Sequence, residues 1–80
     1  MPTAVVLINT EIGADEDVFE RLKEVPEVKA LYMVYGLYDL VAIIESDDMN
    51  KLRDIIFKHL RSSPKVRSTL TMIVVKGFKK

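Results

Sequence analysis

Eighty residues allow one domain, here taken as residues 1–80, and twelve basic against twelve acidic residues leave a formal net charge of zero. The absence of cysteine excludes disulfides and thiolate metal sites, and the charge balance argues against direct nucleic-acid binding as the main function. No apolar run approaches a membrane span, and Met1-Pro2-Thr3 lacks the basic leader of a signal peptide, so a cytoplasmic protein without a membrane partner is expected.

In chain order, Ala4-Val5-Val6-Leu7-Ile8 is short, apolar and β-branched, which predicts a strand. Gly13 punctuates the loop that follows. Asp15 then offers an N-cap, with Glu16 and Asp17 beside the positive end of a helix. Val18, Phe19, Leu22 and Val25 recur at helical spacing, and Lys23 or Arg21 can pair with acids one turn back. Pro26 stops the helix, because its ring disfavours helical geometry in the residue before it.

Val28 to Tyr35 reads as a second strand and Leu40 to Glu45 as a third, joined by the turn Gly36-Leu37-Tyr38-Asp39. Ser46 or Asp47 is placed to cap the next helix, whose stripe is Met49, Leu52, Ile55, Ile56 and Leu60. Ser62-Ser63-Pro64 ends it, and Val66 to Val75 is a fourth strand before a short Lys-rich tail. A repeat lies within this order: Pro26-Glu27-Val28-Lys29 matches Pro64-Lys65-Val66-Arg67, each after a helix and before a strand. Two strand–helix–strand halves joined by a hairpin predict an α+β fold, the ferredoxin-like βαββαβ sandwich. It has a four-stranded antiparallel sheet with two helices on one face.

The strands are apolar on both sides. Ala4, Val6 and Ile8 oppose Val5 and Leu7; Leu40, Ala42 and Ile44 oppose Val41 and Ile43; Leu70, Met72 and Val74 oppose Ile73 and Val75. Two helices cover only one face, whereas a wetted face should be polar. The uncovered face would span on the order of 300 Å² in projection, enough to predict a sheet-to-sheet homodimer.

Few side chains carry obvious chemistry. His59, the only histidine, stands in the last turn of the second helix, where the negative dipole end or solvent accounts for it without catalysis. The acids Asp15, Glu16, Asp17, Asp47 and Asp48 stand at helix starts as caps, and no metal site is expected of them. Asp39 is suited either to a ligand ammonium group or to the turn backbone. Thr69 and Thr71 share a face of the fourth strand, where they can meet a polar ligand or solvent. Tyr32, Tyr35 and Tyr38 cluster about the hairpin, with core or interface packing as their default role. No phosphate-binding glycine loop and no nucleophile with a base at hand is present, so no cofactor and no enzyme activity are expected.

The pattern Val34-x-Gly36-x-Tyr38-Asp39, an apolar strand, a helix, then Val66 and Thr69-Leu70-Thr71, resembles the C-terminal effector domain of Lrp/AsnC-type transcription regulators, the RAM domain. The resemblance covers nearly all of residues 3–78. It implies a ferredoxin-like fold dimerising sheet against sheet, with dimers assembling into an octamer or decamer. It also implies an amino-acid effector bound between dimers near the hairpin. On that pattern Gly36, Leu37 and Tyr38 supply backbone groups and shape, Asp39 meets the amino group, and Thr69 and Thr71 meet the polar end of the ligand. Such regulators carry an N-terminal helix-turn-helix domain, whereas this chain begins at the first effector strand, so a stand-alone module is expected. It would modulate transcription through partners, including full-length regulators of the same family, without contacting DNA. The alternative is a dimeric ferredoxin-like barrel enzyme of the cofactor-free monooxygenase or isomerase type, with His59 as the reactive group.

Overall fold

The computed structural model describes residues 1–80 and follows the expected order. Strand β1 (Thr3–Thr10) is followed by α1 (Asp15–Lys23), β2 (Val28–Met33), β3 (Leu40–Glu45), α2 (Met49–Ile56) and β4 (Val66–Ile73). The four strands form one antiparallel sheet in the order β2-β3-β1-β4, so β1 and β3 are central and β2 and β4 are edges. Registers such as Val6 opposite both Ala42 and Thr71 give the split arrangement of two interleaved halves. No helix is long and apolar enough to cross a membrane.

The core lies between the sheet and both helices. Ala4, Val6, Ile8, Leu40, Ala42 and Ile44 from the central strands meet Val18, Leu22, Leu52, Ile55, Ile56 and Leu60 from the helical segments. The period-two strands and the helical stripe thus converge on one layer. Ile8, Leu40, Leu52 and Leu60 are fully buried, so truncating any of them to alanine should cost roughly 2–5 kcal/mol.

Element ends differ in informative ways. The N-cap of α1 is Ala14, with no side-chain cap, and Asp15 instead accepts a hydrogen bond from the Glu16 amide at 3.0 Å. The N-cap of α2 is Asp48 rather than Ser46 or Asp47: its carboxylate accepts from the Lys51 amide at 2.8 Å. Ser46 cannot serve because it is buried at the end of β3, its amide donating to the Pro2 carbonyl at 3.1 Å. Asp47 pairs with Lys51 along the surface. In α1, Lys23 pairs with Glu20 as expected, but Arg21 reaches Ser63 Oγ at 3.3 Å and Asp17 reaches Lys65 Nζ at 2.7 Å. Both contacts cross to the segment between α2 and β4.

Strand β2 stops at Met33 and β4 at Ile73, each two residues short of expectation. The second helix does not end as a plain α-helix. Phe57–Arg61 winds as π-helix, with the Ser62 amide donating to the Phe57 carbonyl at 3.0 Å. Strand β4 also carries a bulge: Asn9 faces Ser68 and Thr10 faces Val66, leaving Arg67 as the extra residue.

Candidate functional site

The β2–β3 connection occupies residues 34–39. It is closed by the Val34 amide donating to the Asp39 carbonyl at 2.9 Å. Gly36 has φ of +149°, a conformation that other residues adopt only under strain, and no atom stands within 4 Å of where its Cβ would be. The glycine therefore answers a backbone demand and not a packing one. Leu37 is 90% exposed, Tyr35 is fully exposed, and Tyr38 is half-buried.

Asp39 is tied to the end of β1. Its amide donates to the Ile8 carbonyl at 2.9 Å, and its Oδ2 accepts from the Thr10 amide at 2.9 Å and the Thr10 hydroxyl at 3.3 Å. The register of β1 against β3 ends at Ile8 opposite Leu40, so beyond it the Thr10 amide meets no strand carbonyl. The carboxylate supplies the missing acceptor, a use that neither local expectation for Asp39 included. Asp39 also joins Asp15, Met33, Val34 and Tyr35 around a concavity of about 330 Å³. Two carboxylates and no basic group line it, which suits a cationic group.

Thr69 and Thr71 stand opposite Ile8 and Val6, on the helix side of the sheet, and share one face as expected. They line a second concavity of about 470 Å³ at the β4 edge together with Arg61, Val66, Arg67 and Ser68. Thr71 and Arg61 also border an adjoining, more apolar groove of about 450 Å³ that includes Phe57 and Ile73. The two groups of expected site residues do not meet within one protomer. Asp39 lines the hairpin concavity, the threonines line the β4 concavity, and no lining residue is shared.

Two arginines of the β4 concavity escaped the sequence reading. A bulge and a π-turn have weak sequence signals, and both place an arginine beside the threonines. His59 is half-buried and borders none of the concavities. No cluster of three or more His, Cys, Asp or Glu side chains has metal-binding spacing.

The far side of the sheet is open. Val5 and Leu7 of β1, Val41 and Ile43 of β3, Leu70 and Met72 of β4 and Tyr32 of β2 share it by register. Tyr32 is 57% exposed, and Leu70 and Met72 are more than two-fifths exposed. This is a continuous apolar surface with no helix across it.

Comparison with known proteins agrees with this geometry. The family model for the Lrp/AsnC ligand binding domain matches residues 3–80. The HTH-type transcriptional regulator FL11 of Pyrococcus horikoshii is 34% identical over 79 residues, covering 95% of this chain and 50% of that protein. The chain thus spans about half the length of the regulators it matches. A homocitrate synthase of Sulfurisphaera tokodaii is 39% identical over 59 residues, 74% of this chain but 13% of the enzyme. Among solved structures, FFRP-DM1 superposes with a TM-score of 0.91 at 40% identity, covering 94% of this chain and 100% of that one. The Neisseria meningitidis transcriptional regulator NMB0573 has the same fold, with a TM-score of 0.88 at 22% identity over 99% of this chain and 53% of its own.

Proposed function

The chain belongs to the Lrp/AsnC ligand binding domain family, and from that premise we propose that it is an effector-sensing assembly module that binds an amino acid between protomers. The observation that carries this reading is the family match over residues 3–80, within which the Gly36–Asp39 hairpin borders a carboxylate-lined concavity. In the proposed site Gly36, Leu37 and Tyr38 shape the loop, and Asp39 meets the ligand ammonium. Its Oδ1 is free for this while Oδ2 holds Thr10. Thr69 and Thr71 receive the polar end of the ligand from a neighbouring copy, since within one protomer they lie at a separate concavity. The solved complex of NMB0573 with L-Met supports an amino acid as the ligand class.

Assembly follows from the sheet. Its open apolar face closes against the same face of a second copy, an isologous contact, and dimers associate further through their ends into an octamer or decamer. The ligand acts by favouring one assembly over another, with leverage limited to its differential affinity for the two. The module then modulates transcription through partner regulators of the family, not by contacting DNA or by catalysis. The match to a small part of an enzyme supports a sensing unit that serves whatever it is joined to. The barrel-enzyme alternative draws little support, because His59 borders no cavity in which a substrate could meet it.

Calorimetric titration with each of the twenty amino acids, paired with sedimentation, tests the proposal. At least one should release or absorb heat and change the assembly. Silence from all twenty would refute amino-acid sensing.

A further inference from the structure

The β4 concavity has a charge pattern that the effector reading does not require. Arg61, Arg67, Thr69 and Thr71 bring two guanidinium-bearing and two hydroxyl-bearing side chains to its lining, with no acid among the six lining residues. Its volume of about 470 Å³ falls within the range of roughly 300–1,000 Å³ usual for small-molecule sites.

Neither arginine is neutralised within the chain. The three ion pairs are Lys23–Glu20, Lys51–Asp47 and Lys65–Asp17, and none uses Arg61 or Arg67. Lys65, their neighbour, is by contrast held by Asp17 at 2.7 Å. Both arginines also stand where the backbone leaves its regular period. Arg61 closes the π-helical segment, and Arg67 is the extra residue of the β4 bulge. Such departures re-aim side chains, and they recur at functional sites. Here they bring two forked donors to one concavity from two different elements. A guanidinium pairs with carboxylate or phosphate oxygens through two parallel hydrogen bonds, and hydroxyls satisfy the remaining lone pairs.

We propose that this concavity binds a small ligand bearing two negative charges, as a pair of carboxylates or a phosphate, between Arg61 and Arg67 and over Thr69 and Thr71. The inference rests on the effector reading and narrows it: if the ligand is an amino acid, it is an acidic one. A neutral amino acid brings a single carboxylate and leaves one guanidinium unmatched.

Calorimetric titration of the intact chain with L-glutamate, L-glutamine, L-lysine and inorganic phosphate tests this. Glutamate and glutamine differ by one charge at nearly constant shape. Glutamate should bind at least tenfold more tightly than glutamine, and lysine should not bind. Arg61→Gln and Arg67→Gln should each weaken glutamate about tenfold or more, while Lys29→Gln on the opposite sheet edge should not. If one arginine variant misfolds, the other variant and the wild-type ligand series still decide the matter. Glutamine or lysine binding as tightly as glutamate, or both arginine variants binding unchanged, would overturn the proposal. Binding of phosphate without any amino acid would support the dianion site and assign it to phosphate esters. A neutral amino acid that binds while glutamate and phosphate do not would overturn it and leave the effector reading standing. No heat from any amino acid or from phosphate would remove both.

Discussion

Asp39 has one carboxylate oxygen committed inside its own chain, and this shapes every experiment on it. Asp39→Ala leaves the Thr10 amide without its acceptor and should cost about 1–3 kcal/mol of stability, read as a lower midpoint in thermal or urea unfolding. Asp39→Asn keeps an amide oxygen for Thr10 and should unfold within about 1 kcal/mol of wild type. If Asp39 meets a ligand ammonium, the asparagine variant will still lose affinity, and that separates recognition from folding. Asp17 offers a pH-dependent test of a different kind. The hydrogen bond and positive charge of Lys65 lower its carboxyl below the ordinary 3.8. A carboxyl lowered by folding stabilises the folded chain above its ordinary value, and that contribution disappears as pH falls through the lowered one. Asp17→Asn should therefore unfold more easily than wild type at neutral pH, and the difference should shrink as pH falls below 3.8 and vanish once pH is below the lowered value. A gap that persists there would show that the pair is not its source. The residue types of the hairpin were legible in the sequence because glycine and aspartate have narrow backbone uses. The partner of Asp39 was not, because Thr10 is distant in the chain and only the end of the β1–β3 register brings it near.

At the scale of elements, strand and helix order could be read from period, whereas ends and irregularities could not. Runs such as Leu40–Glu45 and the stripe Leu52, Ile55, Ile56 report burial, and burial is what the core imposes. Asp47 and Asp48 are equally good caps locally, and tertiary burial of Ser46 decides where the chain enters α2. The π-helical segment and the β4 bulge leave no mark on hydrophobic spacing, which hid Arg61 and Arg67 as companions of the threonines. The hairpin gives the sharpest element-scale prediction. Gly36→Ala meets no neighbouring atom, so its cost is conformational alone, about 1–3 kcal/mol, measurable by urea unfolding. A neutral effect would mean that the loop relaxes to a different φ at little cost. In that case the loop geometry would not be a fixed part of the ligand site.

For the whole molecule, the alternation of apolar residues on both sides of the strands foretold an uncovered face, and Val5, Leu7, Val41, Ile43, Leu70 and Met72 form it. In the proposed site the hairpin of one copy faces the threonines of another, a geometry set by the assembly and carried by no local spacing in the chain. Leu70 stands opposite Leu7 on the β4 edge of this face, so Leu70→Lys should weaken the sheet-to-sheet contact while circular dichroism stays close to wild type. Ligand affinity should fall with it if the effector site requires neighbouring protomers. The most direct measurement is sedimentation velocity of the unmodified chain at micromolar concentration. A species of at least about twice the 9.1 kDa chain mass is expected, shifting in size when a bound effector is added. A single stable particle of 9.1 kDa, with or without effector, would contradict both the buried sheet face and a site shared between copies.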